Sequence, residues 1–366
     1  MQLDLYDLLE KMETAKQADI PFVIYKKPKE NVVRAFFQKD STLYFSKDLS
    51  ESGFVFAPFE SASKSILFPK EKSDYHHAGW KEFSLQEDYY KNSVNSEKTK
   101  NNNFLSSGRQ KHLNLVEKGI NSIQKGKLSK VVLSRKEEIE LLNFDAKVVF
   151  QKLLATYPLT FVYCWFHPKV GFWMGATPET LIKIKSNHFK TMALASTQNY
   201  EGTLDVKWGE KEVQEQQFVT DYICSNLADS KLKIGKPFTL KAGSLLHICS
   251  EISGKLSSKE QLLKLVKSLH PTPAVCGLPK EKAKKFILKN ENYDREFYTG
   301  FLGEIHCNDN NNKEMEETNL FVNLRCMQLQ VQKAIVYIGG GITINSIAEK
   351  EWEETVAKSA IMKRVL

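Results

Sequence analysis

Two back-to-back hairpins in the middle of the chain constrain its fold more than any other feature. Phe161–His167 (FVYCWFH) and Gly171–Thr177 (GFWMGAT) are short apolar runs rich in aromatic residues, joined through Pro168-Lys169-Val170-Gly171. Such runs around a Pro/Gly turn form an antiparallel hairpin. Thr180–Ala195 (TLIKIKSNHFKTMALA) is a second, turning at Ser186-Asn187. Pro21–Lys26 (PFVIYK), Ser65–Pro69 (SILFP) and Lys130–Ser134 (KVVLS) are further strands, and near the C-terminus come Phe301–Cys307, Asn319–Leu329 and Lys333–Gly340. The polar stretch Asn308–Thr318 between the first two of these reads as an exposed turn, and Lys91–Gly108, almost free of large apolar side chains, as a long exposed loop.

Helices are predicted where apolar residues recur at helical spacing. They cover the first 17 residues, the segment marked by Val116, Ile120 and Ile123, Ala146–Tyr157, roughly Trp208–Leu227, a short stretch after Pro279, and Ala348–Lys363. Another spans about Ser258–Leu269, opened by a capping box in which Ser257 precedes Glu260 by three. Hairpins outnumber βαβ units, which predicts an α+β chain: a mainly antiparallel sheet core with helices outside. No internal repeat is visible.

A chain of 366 residues holds one large domain or two ordinary ones, and 42% hydrophobic with 26% charged residues is a globular mix. No uncharged apolar run reaches the ~18 residues of a membrane helix, and the N-terminal segment carries acids, unlike a signal peptide. A cytoplasmic, membrane-free protein is expected. The six cysteines form no CxxC pair and read as buried fillers of a reducing compartment. The net charge of +8 comes from lysines dispersed among acids, with no nucleic-acid-binding pattern; it suits an anionic small molecule.

Glu212 and Glu215 lie three apart on one predicted helix, and Glu351 and Glu354 on another, so each pair projects from one helix face. Four such carboxylates could hold a hard divalent cation, or simply decorate solvated helices. Gly339-Gly340-Gly341 after a strand is either an anion-binding turn or only a sharp one. Arg325, placed on one sheet face by alternation, could fork onto a carboxylate or pair with an internal acid. His270-Pro271-Thr272-Pro273-Ala274 is a rigid extended string suited to a pocket wall, while His247 and His270 could be ordinary structural histidines.

In order along the chain stand KVVLSR (Lys130–Arg135), GATPETL (Gly175–Leu181), LHPTPAVCGLP (Leu269–Pro279), YTGFLG (Tyr298–Gly303), NLRC (Asn323–Cys326), GGGI and EWEETVAK (Glu351–Lys358). This series resembles the isochorismate synthases of the chorismate-utilising superfamily, strongly over 109–366, whereas residues 1–90 resemble only its variable N-terminal part. The resemblance implies a single chorismate-binding domain over 1–366, with a large two-layer antiparallel core flanked by helices and a deep cleft. It implies a magnesium-dependent, reversible conversion of chorismate to isochorismate, feeding menaquinone or siderophore synthesis, with no obligate protein partner. By position, Lys130 matches the base for water and Glu179 the acid. Glu215 and Glu354 match direct Mg2+ ligands, and Glu212 and Glu351 their companions on metal-bound water. His247 lines the ring, and Tyr298, Arg325, Gly339 and Lys358 surround the enolpyruvyl carboxylate. Ala274 and Val275 belong to the wall; pyruvate-releasing relatives tend to be polar at the position of Ala274. Where the family usually has glycine this chain has Ser196. A salicylate synthase or another chorismate-using relative, and a catalytically silent chorismate-binding protein, are the alternatives.

Overall fold

A computed structural model describes residues 1–80, 102–141, 144–225, 231–242, 245–309 and 312–366. Among the described residues two ten-stranded sheets lie face to face. The first runs, edge to edge, through Gln2–Leu3, Ser73–Gly79, Val32–Gln38, Phe22–Lys26, Phe161–His167, Gly171–Thr177, Cys326–Gln330, Lys333–Ile342, Lys130–Glu140 and Gly277–Leu278. Its pairs are antiparallel apart from Gln2–Leu3, which lies parallel to Ser73–Gly79. The second runs from Leu232–Ile234 through Leu245–Lys255, His188–Asn199, Thr180–Lys185, Asn312–Val322, Phe301–Asp309, Gly53–Ala57 and Ile66–Pro69 to Tyr44–Phe45, with Phe238–Ala242 also paired to Leu245–Lys255. Both expected hairpins form. The chain is α+β, as its patterning predicts.

Strand alternation explains the layers. In Phe161–His167 every residue is buried, because both faces are covered. Phe161, Tyr163 and Trp165 point into an aromatic layer between the sheets, with Tyr25, Phe36, Phe54, Phe56, Trp173, Phe297 and Phe321. Val162, Cys164 and Phe166 point the other way, against the helices Leu5–Gln17 and Ala146–Thr156. The helices Glu210–Ser225 and Gln261–Leu269 cover the second sheet. Strands from the first 80 residues sit inside both sheets, next to strands from beyond residue 160. All six cysteines are unpaired, and five are buried.

Five expectations change. The helix predicted around Val116 begins at Asn102, so the end of the supposed loop is helical and 91–101 lie outside the described residues. Buried Leu113, Val116 and Ile123 anchor its later turns, and extending a nucleated helix into polar sequence is cheap. The helix before His270 starts at Gln261, and its expected Ser257–Glu260 box is absent: Glu260 makes no side-chain cap bond, and the Gln261 amide oxygen accepts from the Ser257 N–H at 2.8 Å. The polar stretch after Cys307 is mostly strand, because its residues pair on both sides, Glu317 with both Cys307 and Lys185. Asn319–Leu329 is two strands in different sheets, broken at Asn323–Arg325 where Arg325 takes φ 47°. Asn323 holds this crossover, accepting from the Tyr163 hydroxyl (2.7 Å) and donating to the Phe297 carbonyl (2.9 Å). Finally, the glycine triple is no turn; it runs inside Lys333–Ile342, paired with Val132–Ser134.

Candidate active site

A cavity of about 1350 Å3 opens where the ends of several strands meet the helices Glu210–Ser225 and Ala348–Lys363. Of the thirteen residues to which the resemblance gives a place in the site, eleven line it: Lys130, Glu179, Glu215, His247, Ala274, Val275, Tyr298, Arg325, Gly339, Glu354 and Lys358. Glu212 and Glu351 stand beside it. The two alternatives left open for the ExxE pairs are thereby narrowed, since both helices turn one of their acids into a shared cleft.

Lys130 opens the strand Lys130–Glu140 and is buried. Burial, the largest influence, pushes its ammonium down to about 8, with Lys358 also lowering it and the carboxylates of Glu179 and Glu215 opposing. Glu179 stands just before Thr180–Lys185, its carbonyl bonded by the Val322 N–H at 2.9 Å. Burial raises its carboxyl to about 6, against a hydrogen bond from Thr272 (3.2 Å) and the field of Lys130. A buried amine and a buried acid, each in the other's field, are thus displaced toward neutrality from opposite sides.

His247 is also driven down, to about 4, by burial and then by Lys130, so its imidazole is neutral. Its Nδ1 lies 2.9 Å from the Ser196 carbonyl. A carbonyl only accepts, so Nδ1 carries the proton and Nε2 is left as an acceptor. His270 is the structural histidine: it is buried, 3.2 Å from the Phe59 carbonyl and edge-on to Phe301.

The glycine triple serves close approach. A Cβ at Gly339 would sit 2.7 Å from the Tyr298 hydroxyl, one at Gly340 would sit 3.4 Å from Glu351 Oε2, and one at Gly341 would sit 3.2 Å from Lys130 Cε. Three site side chains therefore cross a bare patch of one strand. Tyr298 stacks on Tyr337 at 5.5 Å, and burial raises its hydroxyl well above the ordinary value, so it stays a donor. The Thr272–Val275 wall is not extended as expected. Pro273 sits second in a turn closed by the Val275 N–H on the Thr272 carbonyl at 3.1 Å, a position that suits its fixed φ.

On the last helix, Glu354 pairs with Lys358 at 2.5 Å, and Lys358 also donates to the Gly339 carbonyl at 3.1 Å. Glu351 is raised by burial and then by Glu354 repulsion, with Ser346 and Lys358 opposing, and its Oε2 is buried without a hydrogen-bond partner. Among the described residues no three His, Cys, Asp or Glu side chains close on one point as a metal cage.

Three contributors escaped sequence reading. Thr272, inside a string already noticed, binds Glu179. Arg295 and Glu291 form a buried pair whose i, i+4 spacing was the available signal. Arg295 donates to the carbonyls of Val132 (2.7 Å) and Val275 (3.0 Å), and Glu291 accepts from the Ser134 N–H (2.8 Å). The pair ties the Lys130 strand to the pocket wall.

Known proteins are similar to this chain in sequence and in fold. An Escherichia coli isochorismate synthase, EntC, is 30% identical over 253 residues, which are 65% of this chain and 62% of that protein. Bacillus subtilis isochorismate synthase DhbC is 29% identical over 279 residues, 69% of this chain and 67% of its own. The chain thus matches about three fifths of the length of the E. coli relative. In fold it is similar to E. coli MenF, the menaquinone-specific isochorismate synthase, at 20% identity and a TM-score of 0.69, covering 94% of this chain and 88% of that one. It is also similar to Streptococcus pneumoniae anthranilate synthase component I, at 19% identity and 0.62, covering 94% and 90%. The family model described as chorismate binding enzyme matches residues 65–366, the span that supplies every residue of the cleft, and the chain belongs to that family.

Proposed function

We propose that this protein is an isochorismate synthase, converting chorismate reversibly to isochorismate. The observation that carries the reading is the opposed displacement of Lys130 to about 8 and Glu179 to about 6 inside one cleft. Neutral Lys130 takes a proton from water as its oxygen bonds to ring C2. The ring double bonds shift, the C4–O bond breaks, and Glu179 passes its proton to the departing hydroxide, which leaves as water. A proton is taken and a proton is given, so the net reaction is an isomerisation. Each transfer contributes roughly 10²–10⁴-fold.

Arg325 and Lys358 bind the enolpyruvyl carboxylate with Tyr298 and the Gly339 backbone, and His247 lies along the ring. Glu212, Glu215, Glu351 and Glu354 would hold Mg2+. These hard oxygen donors and the orphaned Glu351 Oε2 fit such an ion. When bound, it supplies positive charge for the ring carboxylate of the substrate. Lys358, which reaches Glu354 and the Gly339 carbonyl, supplies positive charge in the cleft for the other carboxylate. The whole chain acts as one domain, supported by the N-terminal strands built into both sheets. A cytoplasmic place goes with this reading, and among the described residues no helix is long and apolar enough to cross a membrane. The menaquinone-specific neighbour supports menaquinone synthesis as one destination of the product, and siderophore synthesis stays the other.

The test is a product assay with chorismate and Mg2+, followed by chromatography and by a lactate dehydrogenase coupling for pyruvate. Ala274 offers the cleft a methyl group, which makes no hydrogen bond to steer the enolpyruvyl group over the ring. Isochorismate accumulating to an equilibrium without pyruvate is expected. Stoichiometric pyruvate with salicylate fluorescence moves the assignment to a salicylate synthase, and no turnover moves it to a silent binding protein.

A further inference from the structure

Ser196 is buried and sits at φ 55°, where a side chain is disfavoured and glycine is at ease. It lies in a bulge of His188–Asn199, where the register against Leu245–Lys255 shifts between Ala195 and Gln198. The bulge turns its hydroxyl onto the helix Glu210–Ser225. Oγ lies 2.8 Å from the Glu212 carbonyl and 3.3 Å from Glu215 Oε2. One hydroxyl proton serves two acceptors on the same face of the same helix. The carbonyl of the same residue holds His247.

We infer that Ser196 is a positioning residue: its hydroxyl latches the helix that carries Glu212 and Glu215 to the sheet, and so aims Glu215 into the cleft before a cation arrives. This rests on the reading of Glu215 as a metal ligand. Glycine at this position supplies the backbone conformation without the latch, leaving the helix to find its place when metal and substrate bind. In this chain the strain of a left-handed serine is retained, and the hydroxyl is what it provides. The latch touches neither the reacting carbons nor the proton path, so it acts through the acid it orients.

The experiment compares Ser196→Gly, which removes hydroxyl and strain together, with Ser196→Ala, which removes the hydroxyl and keeps the strain. Amide hydrogen exchange of Glu210–Ser225 is followed in the metal-free protein, and the half-saturating Mg2+ concentration is measured beside the chorismate KM at saturating metal. Both variants are expected to speed exchange in the first half of the helix about three- to ten-fold, the range of one hydrogen bond, and to raise the Mg2+ requirement by a similar factor. The chorismate KM should move less. Unchanged exchange and Mg2+ requirement in both variants overturns the inference, as does an effect confined to Ser196→Gly, which would trace it to backbone freedom and not to the hydroxyl. Failure of the unsubstituted protein to turn over chorismate would sink the functional reading instead, and the exchange measurement, needing neither substrate nor metal, would still decide the latch.

Discussion

Replacing Glu179 with Gln should change the shape of the pH profile as well as its height. The forward reaction requires Lys130 neutral and Glu179 protonated, yet their values of about 8 and about 6 favour the reverse combination. At pH 7 each group is mostly in its other form, so only a small fraction of free enzymes is ready for chorismate. Below pH 6 Glu179 is protonated and kcat/KM climbs with the neutral fraction of Lys130. Between 6 and 8 the gain at Lys130 and the loss at Glu179 cancel, giving a plateau. Above 8 Lys130 is fully neutral and only the loss at Glu179 remains, so the rate falls. Glu179→Gln removes the donor, costing roughly 10²–10⁴-fold. It also removes the carboxylate that opposes the lowering of Lys130, so the lysine should drop below 8. The variant profile is then a single limb that rises with pH and levels off below pH 8, with no alkaline decline. Initial rates of isochorismate formation from pH 5 to 9.5, at saturating Mg2+ and low chorismate, give the profile. A variant that keeps the fall above pH 8, or that stays within ten-fold of the original rate, refutes the assignment of Glu179 as the acid.

Lys130→Ala should cut turnover by about 10²–10⁴-fold with little change in melting temperature, since losing the buried amine also removes the cost of desolvating it; near-normal turnover by the purified variant rejects Lys130 as base. EDTA should abolish isochorismate formation and added Mg2+ restore it, and turnover that survives chelation contradicts the four glutamates as a metal site. Gly339→Ala places a methyl group 2.7 Å from the Tyr298 hydroxyl, whose ring is held by stacking on Tyr337. The displaced hydroxyl should lower kcat/KM roughly ten- to hundred-fold while circular dichroism keeps its shape, and unaltered kinetics would show that Tyr298 does not set the geometry.

Local patterning was enough to determine the elements whose apolar residues repeat at a fixed period. The hairpins at Phe161–Thr177 and Thr180–Ala195 and the helix Ala146–Thr156 could be read directly, because each buries its own faces at its own spacing. The motif order also pointed to the residues of the cleft by resemblance. What the sequence could not determine were choices made by partners far away. Asn312–Thr318 is too polar to announce a strand, and becomes one because Phe301–Asp309 and Thr180–Lys185 offer it hydrogen bonds on both sides. Phe321–Arg325 reads as continuous alternation, yet Asn323 is caught between Tyr163 and Phe297 and the chain changes sheets there. The glycine triple suggested a turn, and its reason lies in Tyr298, Glu351 and Lys130, which cross it from elsewhere in the chain. The displacements of Lys130 and Glu179 belong to the tertiary structure alone. Desolvation depends on what covers a charge, and the covering comes from segments that are separated by more than two hundred residues and meet only once both sheets are closed.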